Sequence, residues 1–389
     1  MNTTVLAVGL LATGRLARGL LRTPRAVPRG VAQHHDPATV SVIIPARNEA
    51  ATLPRLLGSL RRLTTAVSEV IVVDDGSGDG TASVARTGGA VVLPVDGPPP
   101  GWTGKAWACH VGARASTGEL LLFLDADTLL TPYALDGLLA LHERQRGLVS
   151  VQPFHDVERP YEQLSSYFNV VSVLASGAFG PHPERRAMAF GPCLLTSRTD
   201  YEHAGGHAAV RGAILDDVGL AAAYARVGLP VSCAVGGRSV RMRMYPAGVR
   251  QLAEGWTKNF ASGASAAAPG PTLATVLWVA AHHAVGVGAA LSLAEAVTGR
   301  RVPLASGRLA FWVVAWVGVA WQLRSMLRSI GSFRWWTWAV FPAPLLAFDV
   351  LFARSAALTL VTRSVRWRGR DVPITAGITP AEGARCSGW

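Results

Sequence analysis

The chain has 389 residues, half of them hydrophobic and 16% charged, with a formal net charge of +12. It is too apolar for an ordinary soluble enzyme and long enough for one large domain plus a separate apolar part. The basic excess is arginine clustered near the apolar segments with no recognition motif beside it, so the charge implies anionic lipid headgroups as partners and not nucleic acid.

From Val5 to Leu21 the sequence is apolar but broken by Arg15 and Arg18, and Arg22, Arg25 and Arg29 follow. Charge on the far side of an apolar stretch does not suit a cleaved signal peptide, so residues 1–35 are expected to form a short anchor or an interfacial helix. His34 to Ala38 reads as linker. Val40 to Pro45 is a first strand ended by proline, and a helix is expected from Ala46-Arg47-Asn48-Glu49 to about Arg62. Glu69 to Asp75 is a second strand ending in acid, Gly76 to Thr81 a tight turn into a helix, Ala90 to Leu93 a third strand, and Lys105 to Arg114 a helix. Leu120-Leu121-Leu122-Phe123-Leu124 then stops on Asp125-Ala126-Asp127. A strand apolar on both faces belongs in the middle of a covered parallel sheet, and its carboxylates fall at the C-terminal edge, where ligands of open α/β sheets bind. Two carboxylates there suit a hard divalent cation and, through it, phosphate oxygens.

Alternating strands and helices with short connections predict a mostly parallel sheet over residues 36–245. Neither GxGxxG nor GxxxxGK[ST] is present; Gly101-Trp102-Thr103-Gly104-Lys105 has the wrong glycine spacing for the latter. After Leu148 to Pro153 a less regular region runs to Met244, with a helix over about Val218 to Arg226. Residues 246–265, with Trp256 and Phe260 beside Arg250 and Lys258, read as an amphipathic helix at a membrane interface. Apolar segments at about Thr272–Val297, Leu309–Leu323 and Trp336–Val361 predict membrane helices over 270–365, the third either a single span or a hairpin at Pro342 and Pro344, followed by a tail over 366–389. His282, His283 and Glu295 are costly in lipid and are expected to face a neighbouring helix or the interface. The flanking loops are all basic, so positive charge selects no side. The four cysteines lack a CxxC pair, which gives no zinc site and no disulfide framework. Lys105 and Lys258 are the only lysines in a chain that otherwise uses arginine.

Ser41-Val42-Ile43-Ile44-Pro45-Ala46-Arg47-Asn48-Glu49, Val72 to Thr81, Asp125-Ala126-Asp127 and Asp216-Asp217 occur in the order and spacing of family-two nucleotide-sugar glycosyltransferases with the GT-A fold, which the chain resembles over roughly Val40 to Ser262. Within that family, Pro100 to Lys105, Ser150 to His155 and Gly191-Pro192-Cys193 resemble the membrane-bound carotenoid branch of diaponeurosporenoate type; the tryptophan-glycine-lysine segment also resembles hopanoid-associated members. The resemblance implies a Rossmann-like GT-A catalytic domain followed by transmembrane helices. It implies that Asp75 accepts from the nucleobase, that Pro45 and Glu49 lie by the base or ribose, and that Asp127, assisted by Asp125, places Mg2+ or Mn2+ on the diphosphate. Lys105 would add a point charge there, and Asp217 would be the base that deprotonates the acceptor.

Asp216 stands where the family has glutamate, but Asp217 keeps its register. Glu254 replaces the arginine of a Gln-x-x-Arg-Trp element and Trp256 comes one residue late, which argues against polymerisation. Asp74 reads as bonding its own turn and Cys193 as packing, while His155 and His207 are open between acceptor-site and structural roles; Asp216-Asp217 is also good helix-capping chemistry. The expectation is an inverting, metal-dependent transfer of one sugar, best UDP-glucose, to a carotenoid or carotenoic acid at the cytoplasmic face of the cell membrane. The rivals are a polyprenyl-phosphate or hopanoid glycosyltransferase and a non-catalytic membrane scaffold.

Overall fold

The computed structural model describes residue 27 and residues 39–180, 187–213, 215–263, 269–300, 309–362, 364–367 and 370–373. The expected anchor over 1–35, residue 27 apart, the linker after it and the tail beyond 373 lie outside the described residues.

Strands β1 (Val40–Ala46), β2 (Glu69–Asp75) and β3 (Val91–Val95) pair in parallel, and β4 (Leu120–Leu124) returns to the other side of β1. The seven-stranded sheet has the order β3-β2-β1-β4-β8-β6-β9, with β6 (Leu148–Gln152), β8 (Cys193–Ser197) and β9 (Val231–Val235). Because the chain leaves β1 toward β2 and comes back beside it as β4, strand order reverses between β1 and β4, which is where α/β sheets open a crevice. Only β8 runs antiparallel to its neighbours β4 and β6, so the sheet is mostly parallel.

Both faces of the sheet are buried, as the uniformly apolar strands require. Val42, Ile44, Leu122 and Leu124 pack with Leu53, Leu56 and Leu57 of α1 (Leu53–Leu60). Ile43, Leu121 and Phe123 face the other way, onto Cys109 and Ala113. Those two residues belong to α3 (Gly104–Ala115), which follows α2 (Thr81–Thr87) in the chain. Gly112 lets α3 lie close: a Cβ there would come 2.5 Å from Ile43 Cγ2.

The first helix begins at Leu53, not at Ala46 as its sequence suggested. Residues 48–50 are taken by the turn after β2 instead. Asn48 has φ 54°, its N–H donates to Ser77 Oγ and its Oδ1 accepts from Gly78 N. Glu49 N donates to Thr81 Oγ1 and Ala50 N to Asp79 Oδ2. Side-chain oxygens of a neighbouring turn outcompete the intrahelical ladder here.

The region expected to be irregular, 153–244, is largely ordered structure. Helix α4 (Ala134–Gln145) precedes β6, and the region itself holds α5 (Ser166–Ser176), α6 (Arg198–His203), α7 (Asp216–Arg226), β8 and β9. A second, three-stranded sheet joins β5 (Thr128–Leu130), β10 (Val240–Met242) and β7 (Phe154–His155) in the order β5-β10-β7.

Helix α8 (Val249–Gly263) turns Trp256 inward, 3% exposed, stacked on Phe168 and donating from Nε1 to Ser165 Oγ. Helices α9 (Pro269–Thr298) and α10 (Leu309–Ile330) are long and apolar enough to cross a membrane. The third apolar segment is broken as its prolines imply, into short α11 (Trp335–Ala339) and α12 (Pro342–Thr362). These helices pack on α5 through Tyr167, Phe168, Trp278, Trp312, Phe341 and Phe348. His282 is fully buried against Tyr167 Oη at 2.7 Å, and His283 pairs with Asp349 at 2.7 Å, so both expensive histidines face neighbouring helices. Just beyond α10, Ser332 N donates to His155 O, tying the helices to the second sheet.

Candidate active site

Three loops converge at the C-terminal edge of β1, β2 and β4. The turn after β2 is built by its own acid: Asp74 Oδ1 accepts from Ser77 N at 3.1 Å, the structural part its sequence position implied. Asp75 is 5% exposed with Oδ2 3.4 Å from Arg47 NH1. Glu49, 9% exposed, accepts from Thr52 Oγ1 at 2.6 Å and lies on the same edge, as does Pro45 near the end of β1.

At the end of β4, Asp125 Oδ1 is 2.7 Å from Lys105 Nζ, which projects from the first turn of α3. The pair is partly open, with side chains 36% and 29% exposed. Desolvation opposes the charge on Lys105, but Asp125, Asp216 and Asp217 together hold its ammonium well above the ordinary lysine value. Asp127 faces Tyr245, whose phenol is pushed up first by burial and then by that carboxylate. Tyr245 has φ 57°, a conformation costly for an aromatic residue, and is fixed by Asn259 Nδ2 donating to its Oη. Gly255 is required beneath it, since a Cβ there would meet the ring at 2.1 Å.

Asp217 stands in the first turn of α7 and bonds across the site. Its Oδ2 accepts from Gly191 N at 2.8 Å and its Oδ1 from Val218 N at 2.9 Å. Burial, then the neighbouring Asp216, pushes its carboxyl up to about 6 against the pull of Lys105 and the two amides. A carboxylate near that value is a competent base at neutral pH. The segment before β8 is the link: Gly191 holds Asp217, and Pro192 O accepts from both Asp125 N and Thr128 Oγ1. A side chain at 191 would stand 3.0 Å from Lys105 Nζ and 3.1 Å from Asp217 Oδ2. Gly191-Pro192 therefore straps the acidic turn to Asp217, a job the sequence does not show: there Gly191-Pro192-Cys193 stands out only through its resemblance to the carotenoid branch. Tyr245 was likewise missed, since nothing in Met244-Tyr245-Pro246 marks a positive φ.

The two open histidines resolve as structural. His207 is 1% exposed, its N–H donates to Tyr201 Oη, its Nδ1 shares a second hydrogen bond with that hydroxyl, and burial with nearby Lys105 pushes it down to about 3. Its Nε2 lies 3.9 Å from Asp216 Oδ2, behind the site. His155 is buried against Gln152 and pushed down to about 4. Cys193 is fully buried in β8. Gln251 caps the start of its own helix, its Oε1 accepting from Ala247 N.

Among the described residues no three His, Cys, Asp or Glu side chains gather as a metal cage. Asp125 and Asp127 are a hard, two-carboxylate donor set. Such a set fits a Mg2+-like ion that keeps waters and completes its shell with substrate phosphates.

Residues 41–188 match the sequence profile of glycosyl transferase family 2. A 4,4'-diaponeurosporenoate glycosyltransferase of Staphylococcus aureus (strain MRSA252) is 34% identical over 342 residues, covering 86% of this chain and 88% of that one. This chain belongs to glycosyltransferase family 2. The enzyme of the same name from Staphylococcus haemolyticus is 40% identical over 262 residues, 66% of this chain and 70% of its own. Among solved structures, a mannosyltransferase from Pyrobaculum calidifontis in complex with GDP-Man and Mn2+ aligns over 92% of this chain and 96% of its own, with a TM-score of 0.50 and 21% identity. That likeness establishes the GT-A-type fold. The chain is a glycosyltransferase, and the scaffold alternative falls with that assignment.

Proposed function

We propose that this glycosyltransferase moves a single sugar, with inversion, from a nucleotide donor onto a carotenoid or carotenoic acid, with UDP-glucose as the donor. The observation that carries it is the arrangement around Gly191: a cation-carboxylate pair on one side and a carboxylate of raised pKa on the other. The names of the curated relatives support the acceptor class.

In this mechanism Asp75, Glu49 and Pro45 hold the nucleoside at the ends of β1 and β2. Asp125 and Asp127 would hold Mg2+ or Mn2+, which when bound would supply Lewis acidity toward the leaving diphosphate. Lys105 contributes an ammonium to the same oxygens. Asp217, steadied by the Gly191 amide, takes the proton of an alcohol acceptor as it attacks the anomeric carbon from the face opposite the nucleotide. A carboxylate acceptor brings no proton to remove and asks less of Asp217. The catalytic domain over 36–245 works at the cytoplasmic face of the cell membrane, and multi-pass helices within 270–365 together with the helix over 246–265 bring the lipophilic acceptor to it from among membrane lipids.

The test is transfer from radiolabelled UDP-glucose into organic-extractable material by membranes carrying the enzyme. Label in an apolar pigment whose mass equals acceptor plus one hexose, lost on adding EDTA, is the expected result. Transfer to a water-soluble acceptor, or transfer indifferent to EDTA, contradicts the proposal.

A further inference from the structure

Lys105 is placed to do more than neutralise phosphate. Its Nζ sits directly on Asp125, at 2.7 Å, in a pair that solvent and ligands reach from outside. Gly191 stands close to both the ammonium and Asp217: a Cβ at 191 would lie 3.0 Å from Nζ and 3.1 Å from Asp217 Oδ2. The lysine stem is long and unbranched and ends as a point charge, so its head can change partners while α3 stays still.

Taking Asp125 and Asp127 as the metal carboxylates, as proposed above, we infer that Lys105 is an internal counter-cation that a divalent metal must displace from Asp125, and that couples metal binding to binding of the donor's diphosphate. Metal entering alone removes the ammonium's best partner and sets a dication beside it, an unfavourable pair of like charges. A nucleoside diphosphate arriving with the metal offers the released ammonium new oxygens. Each ligand lowers the cost of the other's entry, and by linkage the effect is reciprocal. The consequence is order at the site: metal is held weakly without donor, and the donor is held firmly only with metal. Asp216 and Asp217 also attract the ammonium.

The experiment measures free Mn2+ by its EPR signal over full-length protein in detergent, with and without UDP, after subtracting Mn2+ held by UDP in a protein-free control. Wild type is compared with Lys105→Met, Lys105→Arg and Asp127→Ala. The expected result is that Lys105→Met binds Mn2+ alone about tenfold more tightly than wild type, and that the enhancement by UDP shrinks by about the same factor, inside the usual range of coupling between sites. Lys105→Arg, which keeps the charge, stays close to wild type. If Lys105→Met binds Mn2+ no more tightly while wild type binds Mn2+ with UDP through Asp127, the counter-cation inference is overturned and the metal site stands. If Asp127→Ala binds Mn2+ as wild type does, the metal assignment itself falls. A melting curve for each variant, matched to wild type, establishes that folded proteins are compared.

Discussion

Lys105 and Asp125 form an ion pair left 36% and 29% exposed at the sheet edge, whereas Tyr167 and His282, hydrogen-bonded at 2.7 Å between α5 and α9, are both fully buried. Each pair places polar groups in an otherwise apolar neighbourhood. The buried pair is enclosed by Trp278, Phe341 and Phe348 and fixes how the long helices meet the catalytic domain. The edge pair is partly open to solvent, and Gly191 brings Asp217 close to its ammonium. Polar groups sealed by rings hold a fold together; polar groups left reachable at a strand end can change partners during chemistry.

The sharpest way to break this contrast is to remove the reactive acid. Asp127→Ala is expected to lower transfer by about a thousandfold or more, in line with losing a main stabiliser of leaving-group charge, while the thermal midpoint stays near wild type. A variant that unfolds instead would move Asp127 into the structural class. Asp217→Asn separates acceptor types: with a carboxylic acid acceptor the loss is expected to stay below about a hundredfold, the low end of acid–base catalysis, and a collapse of about three decades or more would exclude the ester-forming reaction.

The pH profile sharpens the same point. Because the Asp217 carboxyl is pushed up to about 6, its base form is lost as pH falls through that value. With an alcohol acceptor kcat/KM should then drop about tenfold per pH unit below 6, and with a carboxylate acceptor that limb should be missing.

On the sealed side, Tyr167→Phe leaves His282 Nδ1 buried without its partner and is expected to cost about 1–3 kcal/mol of stability, read from denaturation in detergent, with Mn2+ and UDP affinities unchanged. A further effect concerns Asp217 itself. Its folded value lies above the ordinary 3.8, so the stability it contributes is full below about pH 4 and lost as pH rises through 6. Between pH 4 and pH 8, without metal, the melting point of wild type should therefore fall more than that of Asp217→Asn, whose side chain does not ionise.

Much of this was legible in residues. Leu120 to Leu124 stopping on Asp125-Ala126-Asp127 gave the position of β4 because an uninterrupted apolar run has only the middle of a covered sheet to go to. The rarity of lysine pointed to Lys105 before its partner was known. What was hidden depended on partners distant in sequence. Nothing local to Ala46-Arg47-Asn48-Glu49 says that its amides belong to Ser77, Asp79 and Thr81. The antiparallel β8 reads as one more short apolar run until Pro192 O is seen accepting from Asp125 N. Trp256 looked interfacial because its helix carries charge on one face; the other face turned out to be covered by Phe168 of α5.

The proposed reaction takes place around Gly191, between the acidic turn and Asp217, and the anomalous signal of Mn2+ in crystals of the enzyme grown with UDP tests that placement. A single peak coordinated by Asp125 and Asp127, with the UDP phosphates on it and Asp217 free of metal, is the result expected. A peak bound by Asp217, or by residues away from the ends of β1, β2 and β4, would contradict it.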